Sequence, residues 1–230
     1  SAYADYVSTD ADLLVGKPAG VSFEEAAAVP LAGLTALQAL RDRGRIAKGQ
    51  RVLINGASGG VGTLAVQLAK VFGAEVTGVC SPRNVDTVRS LGADRVIDYT
   101  REDFAADGTR YHLIVDIGGN RTVADRRRAL TPEGTLVVVG GPKTNRWVGP
   151  MGDLLKVVLT GPFVRQRMTG MYIGNRREDV ELLAGLLEDG TLRPVVESTH
   201  PLADVPAALR YVAEGHARGK VVVSLRGDLG

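Results

Sequence analysis

The chain has 230 residues, of which 44% are hydrophobic and 23% are charged, a composition typical of a globular protein rather than a disordered one. No run of about 18 apolar residues and no basic segment ahead of an apolar one occur, so neither a membrane span nor a signal peptide is predicted. Cys80 is the single cysteine, which excludes an intrachain disulfide and fits a reducing cytoplasm. Lys and Arg total 28 against 26 Asp and Glu, a balance that argues against nucleic acid as the main ligand.

The first part of the chain predicts helices after a short extended segment. Residues 1–20 are predicted to form a short strand around Tyr6, then a turn and a loop. Ser22 begins a capping-box pattern ahead of an alanine-rich helix, which Pro30 should end or kink. A second helix is predicted to follow and to end near Gly44.

From residue 51 onward, short apolar strands alternate with helices. The predicted strands are Arg51–Asn55, Glu75–Cys80, Arg95–Asp98, Leu113–Asp116, Thr135–Val139 and Met168–Ile173. The predicted helices are Val61–Phe72, Val85–Leu91 and Glu178–Glu188. This order predicts an α/β fold with a Rossmann-type, doubly wound parallel sheet that binds ligands at the carboxyl ends of its strands. The last stretch, a helix over Val205–Glu214 and a strand over Lys220–Leu225, does not continue the alternation and is predicted to form a different layer or domain.

A glycine-rich turn, Gly56–Gly62, lies between the first of these strands and the helix after it. Glycines let a pyrophosphate approach the backbone, and the following helix points its positive end at that phosphate, so a nucleotide site is predicted. The alternative is a plain loop with glycines for packing. The spacing also fits short-chain dehydrogenases, but none of the six tyrosines has a lysine four residues later, so that class is set aside.

The cofactor preference follows from the end of the second strand. An NAD site has a carboxylate about 20 residues past the turn, which holds the ribose 2′-hydroxyl. Here the chain has Ser81-Pro82-Arg83, and a hydroxyl with a guanidinium suits a 2′-phosphate. NADPH is therefore predicted over NADH, unless Arg83 is only a solvated surface residue.

Several segments in order resemble the medium-chain dehydrogenase/reductase superfamily, in its zinc-independent quinone oxidoreductase-like branch. This branch includes NAD(P)-dependent alcohol dehydrogenase-like proteins and is similar to the reticulon-4-interacting proteins. The segments that carry the resemblance are Leu31–Ala36, Gly56–Gly62, Val79–Ser81, Leu91–Asp94, Val96–Tyr99, Asp116–Gly119 and Gly215–Val222.

The resemblance implies a set of cofactor contacts. The pyrophosphate would lie against the glycine-rich turn, at Ser58, Gly59, Gly60 and Val61. The adenosine 2′-phosphate would contact Ser81, Arg83 and Tyr99. The nicotinamide ribose would lie against Gly118, Gly140 and Gly141. The C-terminal segment would close over the cofactor with His216, Ala217 and Arg218.

The resemblance also implies a domain plan and an assembly. Complete members carry an N-terminal GroES-like substrate domain, of which residues 1–30 and 192–230 resemble only remnants, whereas residues 31–191 resemble the NADP-binding Rossmann domain. Because most of the substrate domain is absent, no catalytic residue is assigned and the surface it covered is expected to be apolar and exposed. In the family the sixth strand pairs across a two-fold axis, which implies a homodimer.

The implied function is an NADPH-dependent oxidoreductase that transfers hydride from nicotinamide C4 to a quinone, an enone, or an aldehyde or ketone. A stand-alone NADP(H)-binding module or sensor without turnover is the alternative. Nucleic-acid binding would rest only on Arg121, Arg126, Arg127 and Arg128, for which a solvated helix face is the simpler interpretation. With one cysteine and three scattered histidines, no zinc site is expected. Trp147 could cap a substrate pocket or pack in a loop.

Overall fold

The computed structural model describes residues 3, 4, 6–119, 121–139, 165–215 and 217–225. Two helices come first, α1 (Phe23–Ala28) and α2 (Pro30–Gln38). The strands of the main sheet are β1 (Arg51–Asn55), β2 (Glu75–Cys80), β3 (Arg95–Asp98), β4 (Tyr111–Asp116), β5 (Leu130–Val138) and β6 (Arg167–Gly170). The helices among and after them are α3 (Gly62–Val71), α4 (Val85–Ser90), α5 (Val123–Arg128) and α6 (Arg177–Glu188). The chain then forms β7 (Val196–Pro201), α7 (Val205–Glu214) and β8 (Lys220–Ser224).

The six strands form one parallel sheet in the order β3-β2-β1-β4-β5-β6, with β1 flanked by β2 and β4. This is the strand order of a Rossmann fold, in which the chain reverses direction across the sheet between β1 and β4. The predicted α/β class is confirmed. The reversal leaves a crevice at the carboxyl ends of β1 and β4.

Both faces of the sheet are buried, because consecutive residues of its strands are apolar and point to opposite faces. Val52 and Ile54 of β1 belong to the cluster that includes α2 and α3, and Leu183 of α6 packs there as well. Leu53 faces the other side, where Phe104 completes a second cluster. Burial on both faces explains why these strands appear in the sequence as nearly continuous hydrophobic runs.

The junction of α1 and α2 follows its sequence signals. Ser22 caps α1 through a full capping box with Glu25. Pro30 is the first residue of α2, so it separates the two helices as predicted. α2 continues as a π-helical turn over Ala39–Arg43 and ends at Gly44.

The C-terminal part forms a separate small layer, as the sequence predicted. β7 and β8 pair with each other in a parallel two-stranded sheet and join no strand of the main sheet. Both α1 and α7 contact this small sheet. The N-terminal and C-terminal parts of the chain therefore belong to the same region of the molecule.

The strand predicted near Tyr6 is wrong. The described residues before Ala11 form no strand, and Ala11–Leu13 form a single 3₁₀ turn capped by Asp10. Strands need a hydrogen-bonded neighbour, and no strand in the described part of the chain lies beside this segment. The Tyr6 side chain is 93% exposed.

Candidate functional site

A cleft of about 490 Å³ lies at the carboxyl ends of β1, β2 and β4. Its lining comes from strand ends, from the turns that follow them and from the C-terminal segment. The lining residues are Asn55, Gly56, Ser58, Val79, Cys80, Ser81, Arg83, Asn84, Tyr99, Gly118, Gly215 and Ala217. None of these residues carries a carboxylate, and Arg83 contributes a positive charge.

The glycine-rich turn is shaped by close backbone contacts rather than by side chains. Gly56 has φ +88°, a conformation that glycine adopts at low cost. A Cβ at Gly62 would lie 2.1 Å from the Gly56 carbonyl oxygen, so the turn can close onto α3 only with glycine there. α3 then begins without a side-chain cap, which leaves its positive end available to an anion at the cleft.

Asn84 joins the two serines that were predicted to contact phosphate. Its Nδ2 donates hydrogen bonds of 3.0 Å to the hydroxyl of Ser58 and of 3.0 Å to the hydroxyl of Ser81. Asn84 is buried, and as an acceptor each serine oxygen keeps its own O–H for donation to a ligand. The amide therefore holds the glycine-rich turn and the end of β2 in one hydrogen-bonded unit.

The floor of the cleft beside Gly118 rests on a buried polar network. Asn55 Nδ2 donates to Asp116 Oδ1 at 2.6 Å, and the Gly119 backbone N–H donates to the same oxygen at 3.1 Å. Asp116 Oδ2 lies 2.7 Å from Nε of Arg126. The prediction of a solvated arginine face is therefore wrong for Arg126, which is fully buried and neutralises this carboxylate.

The C-terminal segment reaches over the glycine-rich turn. The Gly219 N–H donates to the Ser58 carbonyl at 3.0 Å. Glu197 holds the same segment from the other side, because one oxygen accepts from the Tyr211 hydroxyl at 2.8 Å and the other from the Arg218 N–H at 2.7 Å. The segment is thus fixed to both layers of the molecule.

The structure brings together many of the residues predicted for the cofactor site. Ser58, Ser81, Arg83, Tyr99, Gly118 and Ala217 line the cleft. The others that the structure describes, Gly59, Gly60, Val61 and Arg218, lie in the adjoining turn or C-terminal segment without lining it. Gly140, Gly141, His216 and Trp147 lie outside the described residues. The individual contacts to a cofactor stay predictions.

Six lining residues were given no cofactor contact in the sequence analysis, although one of them, Gly56, belongs to the predicted glycine-rich turn. They are Asn55, Gly56, Val79, Cys80, Asn84 and Gly215. Most of them lie at or just after the carboxyl end of a parallel strand, which is the signal that could have identified them. Asn84 has no such signal, because its role depends on the distance between two turns that only the folded sheet brings together.

Cys80 lies at the end of β2 and lines the cleft, yet its thiol is poorly suited to chemistry. Burial, with a smaller effect of Asp98, raises the pKa of the Cys80 thiol to about 11. The thiolate is the nucleophilic and metal-binding form, so this cysteine is nearly inert at neutral pH.

The described residues do not fit a zinc site. They include no group of three or more His, Cys, Asp or Glu side chains placed to hold a metal ion. Cys80 is at the carboxyl end of β2, whereas His112 is near the start of β4 and His200 lies in the small sheet, so the donors are on separate elements.

The comparisons with known proteins agree with the Rossmann-type sheet and with the cleft at the carboxyl ends of its strands. Residues 91–223 match the family model described as zinc-binding dehydrogenase. A chloroplast envelope quinone oxidoreductase homolog of Arabidopsis thaliana is 32% identical over 96% of this chain and 68% of its own length. The mitochondrial NAD(P)H oxidoreductase RTN4IP1 of Danio rerio is 33% identical over 98% of this chain and 63% of its own length.

Solved structures show the same relationship. The quinone oxidoreductase from Coxiella burnetii superposes with a TM-score of 0.81 at 32% identity, covering 92% of this chain and 64% of the other. An NAD-dependent alcohol dehydrogenase superposes with a TM-score of 0.84 at 28% identity. The chain therefore spans about two thirds of the length of these relatives.

Among the described residues, no helix combines the length and apolar character that crossing a membrane requires.

Proposed function

Because this chain belongs to the medium-chain dehydrogenase/reductase superfamily, among its quinone oxidoreductase-like members, we propose that it is the cofactor-binding part of an NADPH-dependent reductase of quinones, enones, or aldehydes and ketones. The cofactor, when bound, supplies the hydride from nicotinamide C4. The relatives named as quinone oxidoreductases and NAD(P)H oxidoreductases support this class of substrate.

The observation that carries the proposal is the carboxylate-free cleft with Ser81 and Arg83 at the end of β2. A carboxylate there would repel a 2′-phosphate and would favour the free ribose hydroxyl of NADH. Arg83 offers a charge-assisted pair to the phosphate, and Ser81 offers a hydroxyl that Asn84 holds in place. NADPH is therefore the cofactor that this lining suits.

The chain's own residues bind and orient rather than react. Ser58 and the amino end of α3 would hold the pyrophosphate, and Gly118 lines the cleft where the nicotinamide ribose would lie. A side chain at Gly118 would crowd Asn55, because its Cβ would lie 3.2 Å from Asn55 Nδ2. Ala217 lines the cleft from the C-terminal segment and would help to exclude water from it. No proton donor is assigned. We propose that the chain works without zinc, since the described donors do not cluster.

We further propose that residues 1–30 and 192–230 are remnants of a GroES-like substrate domain and that residues 31–191 form the NADP-binding domain. Large apolar side chains are exposed at the start of the chain, which fits a surface that another domain covers. They include Tyr3, Tyr6, Val7, Leu13, Leu14, Phe23 and Leu31. In complete relatives this contact would place the substrate domain beside the cleft.

A homodimer in the cytoplasm completes the proposal. Among the described residues, β6 has β5 as its one neighbour in the sheet. Its other edge could therefore pair with the same strand of a second copy. Light scattering tests the assembly directly, and a monodisperse monomer would contradict it.

Equilibrium titration with NADPH and NADH, followed by nicotinamide fluorescence, tests the cofactor assignment. We expect tighter NADPH binding, and we expect Arg83→Ala to weaken NADPH at least about tenfold while NADH is unchanged, as losing one charge-assisted contact predicts. Arg89→Ala is the control, since Arg89 pairs with Asp86 on the surface of α4. Equal or absent binding of both nucleotides would overturn the assignment.

Turnover is tested separately with quinone and enone substrates. NADPH oxidation that depends on substrate would support the reductase. Binding without turnover by the 230-residue chain, joined by turnover in a protein that carries a complete substrate domain, would restrict this chain to the binding role.

A further inference from the structure

A second cavity lies at the opposite end of the sheet from the cofactor cleft. It has a volume of about 550 Å³ and is reached from the amino ends of β4 and β5 and from the loop that precedes β1. β1 spans five residues, so the two sites are separated by the length of that strand, about 17 Å. The polar residues that line this second cavity are Arg45, Gln50, His112, Thr131, Glu133 and Thr135.

Arg45 occupies a backbone position that favours glycine. It has φ +52° and is the one non-glycine residue with positive φ in the described part of the chain. The position closes the helical run of α2, where the Ile46 N–H returns to the Leu40 carbonyl at 3.0 Å. An arginine in this conformation is strained, and such strain is tolerated where the side chain serves a purpose.

Two further arginines lie near the cavity without lining it, Arg43 two residues before Arg45 and Arg167 on β6. Thr135 lines the cavity and is in register with Arg167 on β6, so the Arg167 side chain lies beside it on the same face. Burial lowers the pKa of Arg167, and repulsion from Arg45 and Arg43 lowers that pKa further. None of the three forms an ion pair with a carboxylate among the residues that the structure describes.

The neutral groups of the lining add donors. His112 Nδ1 accepts the Arg51 backbone N–H at 3.0 Å, so its ring proton is on Nε2. Gln50 Oε1 accepts the Ala47 N–H at 3.0 Å, which leaves the amide NH₂ to donate. Glu133 is the one carboxylate of the lining and Arg45 is its one guanidinium, while Arg43 and Arg167 repel each other from outside the lining.

We propose that this cavity is a second anion site, which binds a small molecule through a phosphate group held by Arg45 and Arg167. Neighbouring guanidinium groups without a carboxylate partner match a multiply charged phosphate better than a monovalent anion. The volume exceeds what a free phosphate fills, so the ligand class is a phosphorylated small molecule or a diphosphate. The site is independent of the proposed reductase activity.

Isothermal titration with inorganic phosphate and with pyrophosphate, at constant ionic strength, tests this site in the folded protein. We expect pyrophosphate to bind more tightly than phosphate. Arg45→Gly should weaken binding about tenfold or more while leaving the melting temperature unchanged or higher, because glycine relieves the strained φ. Arg167→Met should weaken binding similarly, and Glu133→Gln should tighten it by removing a repelling charge.

Arg83→Ala is the matched control, because Arg83 lines the cofactor cleft and its loss should leave this second site unchanged. Because the cofactor cleft is itself proposed to hold the pyrophosphate of NADPH at Ser58, the titrations are repeated with saturating NADPH. Anion binding that Arg45→Gly leaves intact, or that NADPH abolishes, would assign the anion to the cofactor cleft and would overturn the proposal. Chloride is tested as a competitor against bound pyrophosphate. If chloride displaces pyrophosphate as effectively as phosphate does, the binding reflects ionic strength alone, and this result would also overturn the proposal. Loss of NADPH binding in the wild type would contradict the reductase without affecting this inference.

Discussion

Asp116 and Arg126 form an ion pair of 2.7 Å in which both side chains are fully buried beneath the turn at Gly118–Gly119. The other carboxylate oxygen is shared between Asn55 and the Gly119 N–H. Asp116 ends β4 and Asn55 ends β1, so the hydrogen bond between them joins the two strand ends between which the cofactor cleft opens. The charge balance of the ion pair is therefore coupled to the shape of the proposed nicotinamide side of the cleft.

Replacing Arg126 with Met should destabilise the fold severely. The variant leaves the Asp116 carboxylate buried without its cation, a change that typically costs about 3–5 kcal/mol of the free energy of unfolding. Urea denaturation measures this cost. Arg128→Met is the matched control, because Arg128 lies two residues later, is exposed and pairs with Asp125 at the surface. Its loss should cost less than about 1 kcal/mol.

The double variant Asp116→Asn, Arg126→Met separates the ion pair from simple packing. With the carboxylate neutralised, the methionine no longer faces an uncompensated charge, and the asparagine keeps an oxygen for Asn55 and Gly119. We expect part of the lost stability to return. If the two single changes add without any coupling, then the charge is not what makes Arg126 necessary.

The glycine-rich turn yields a second prediction, on two glycines three residues apart. Gly62→Ala should lower the melting temperature and weaken nucleotide binding, since its Cβ would meet the Gly56 carbonyl oxygen at 2.1 Å. Overpacking of this kind costs about 1–3 kcal/mol or more. Gly59→Ala is the control, because the nearest atom to its Cβ would be 3.6 Å away. Similar behaviour of the two variants in thermal unfolding would contradict this account of the turn.

Much of the sheet could be predicted from the sequence, because a strand that is buried on both faces consists of a short run of apolar residues. Arg51–Asn55 and Glu75–Cys80 were predicted with the bounds that the structure gives. The sixth strand was predicted as Met168–Ile173 and is Arg167–Gly170, since an edge strand has one neighbour to define its ends. The prediction of a strand near Tyr6 was wrong because a sequence pattern does not show whether a neighbouring strand is present, and none in the described part of the chain lies beside this segment.

The site was predictable where local geometry demands a residue type and unpredictable where distant residues meet. Gly62 and Ser81 follow from the turn and from the strand end after it. Arg126 was assigned to a solvated face because its neighbours in sequence are charged, and only the fold shows that its partner Asp116 is on β4. Asn84 likewise gains its role from two turns that the sheet brings together.

Glu197 gives a third prediction, on the segment that reaches over the glycine-rich turn. The hydrogen bond from Tyr211 to Glu197 raises the pKa of the Tyr211 phenol, because the carboxylate stabilises the protonated donor. Glu197→Gln should therefore lower that pKa. It should also weaken the contact to the Arg218 N–H and so loosen binding of NADPH and NADH alike.

Ultraviolet titration of the phenolate, with Tyr211→Phe to identify the signal, measures the first effect, and nucleotide titration measures the second. Equal weakening of both nucleotides distinguishes this variant from Arg83→Ala, which should act on NADPH alone. An unchanged Tyr211 pKa in Glu197→Gln would show that the hydrogen bond does not hold the segment in solution.

The last prediction concerns the reactivity of Cys80, the single cysteine of the chain. Burial, together with Asp98, raises its pKa from 9.0 to about 11. At pH 8 the thiolate fraction falls from about one in ten to about one in a thousand, so alkylation by iodoacetamide should be about a hundredfold slower in the folded protein than in urea.

Because the thiolate is the reacting form, the rate should rise tenfold per pH unit from pH 8 to 10 and level off only above the raised pKa. Asp98→Asn should increase the rate modestly, since it removes the smaller of the two causes of the shift. Cys80 lines the cofactor cleft, so saturating NADPH should slow the reaction further by blocking access. A plateau near pH 9 would show that the Cys80 thiol is open to solvent in the folded protein. A rate that NADPH leaves unchanged would show that the nucleotide does not bind in the cleft at the end of β2.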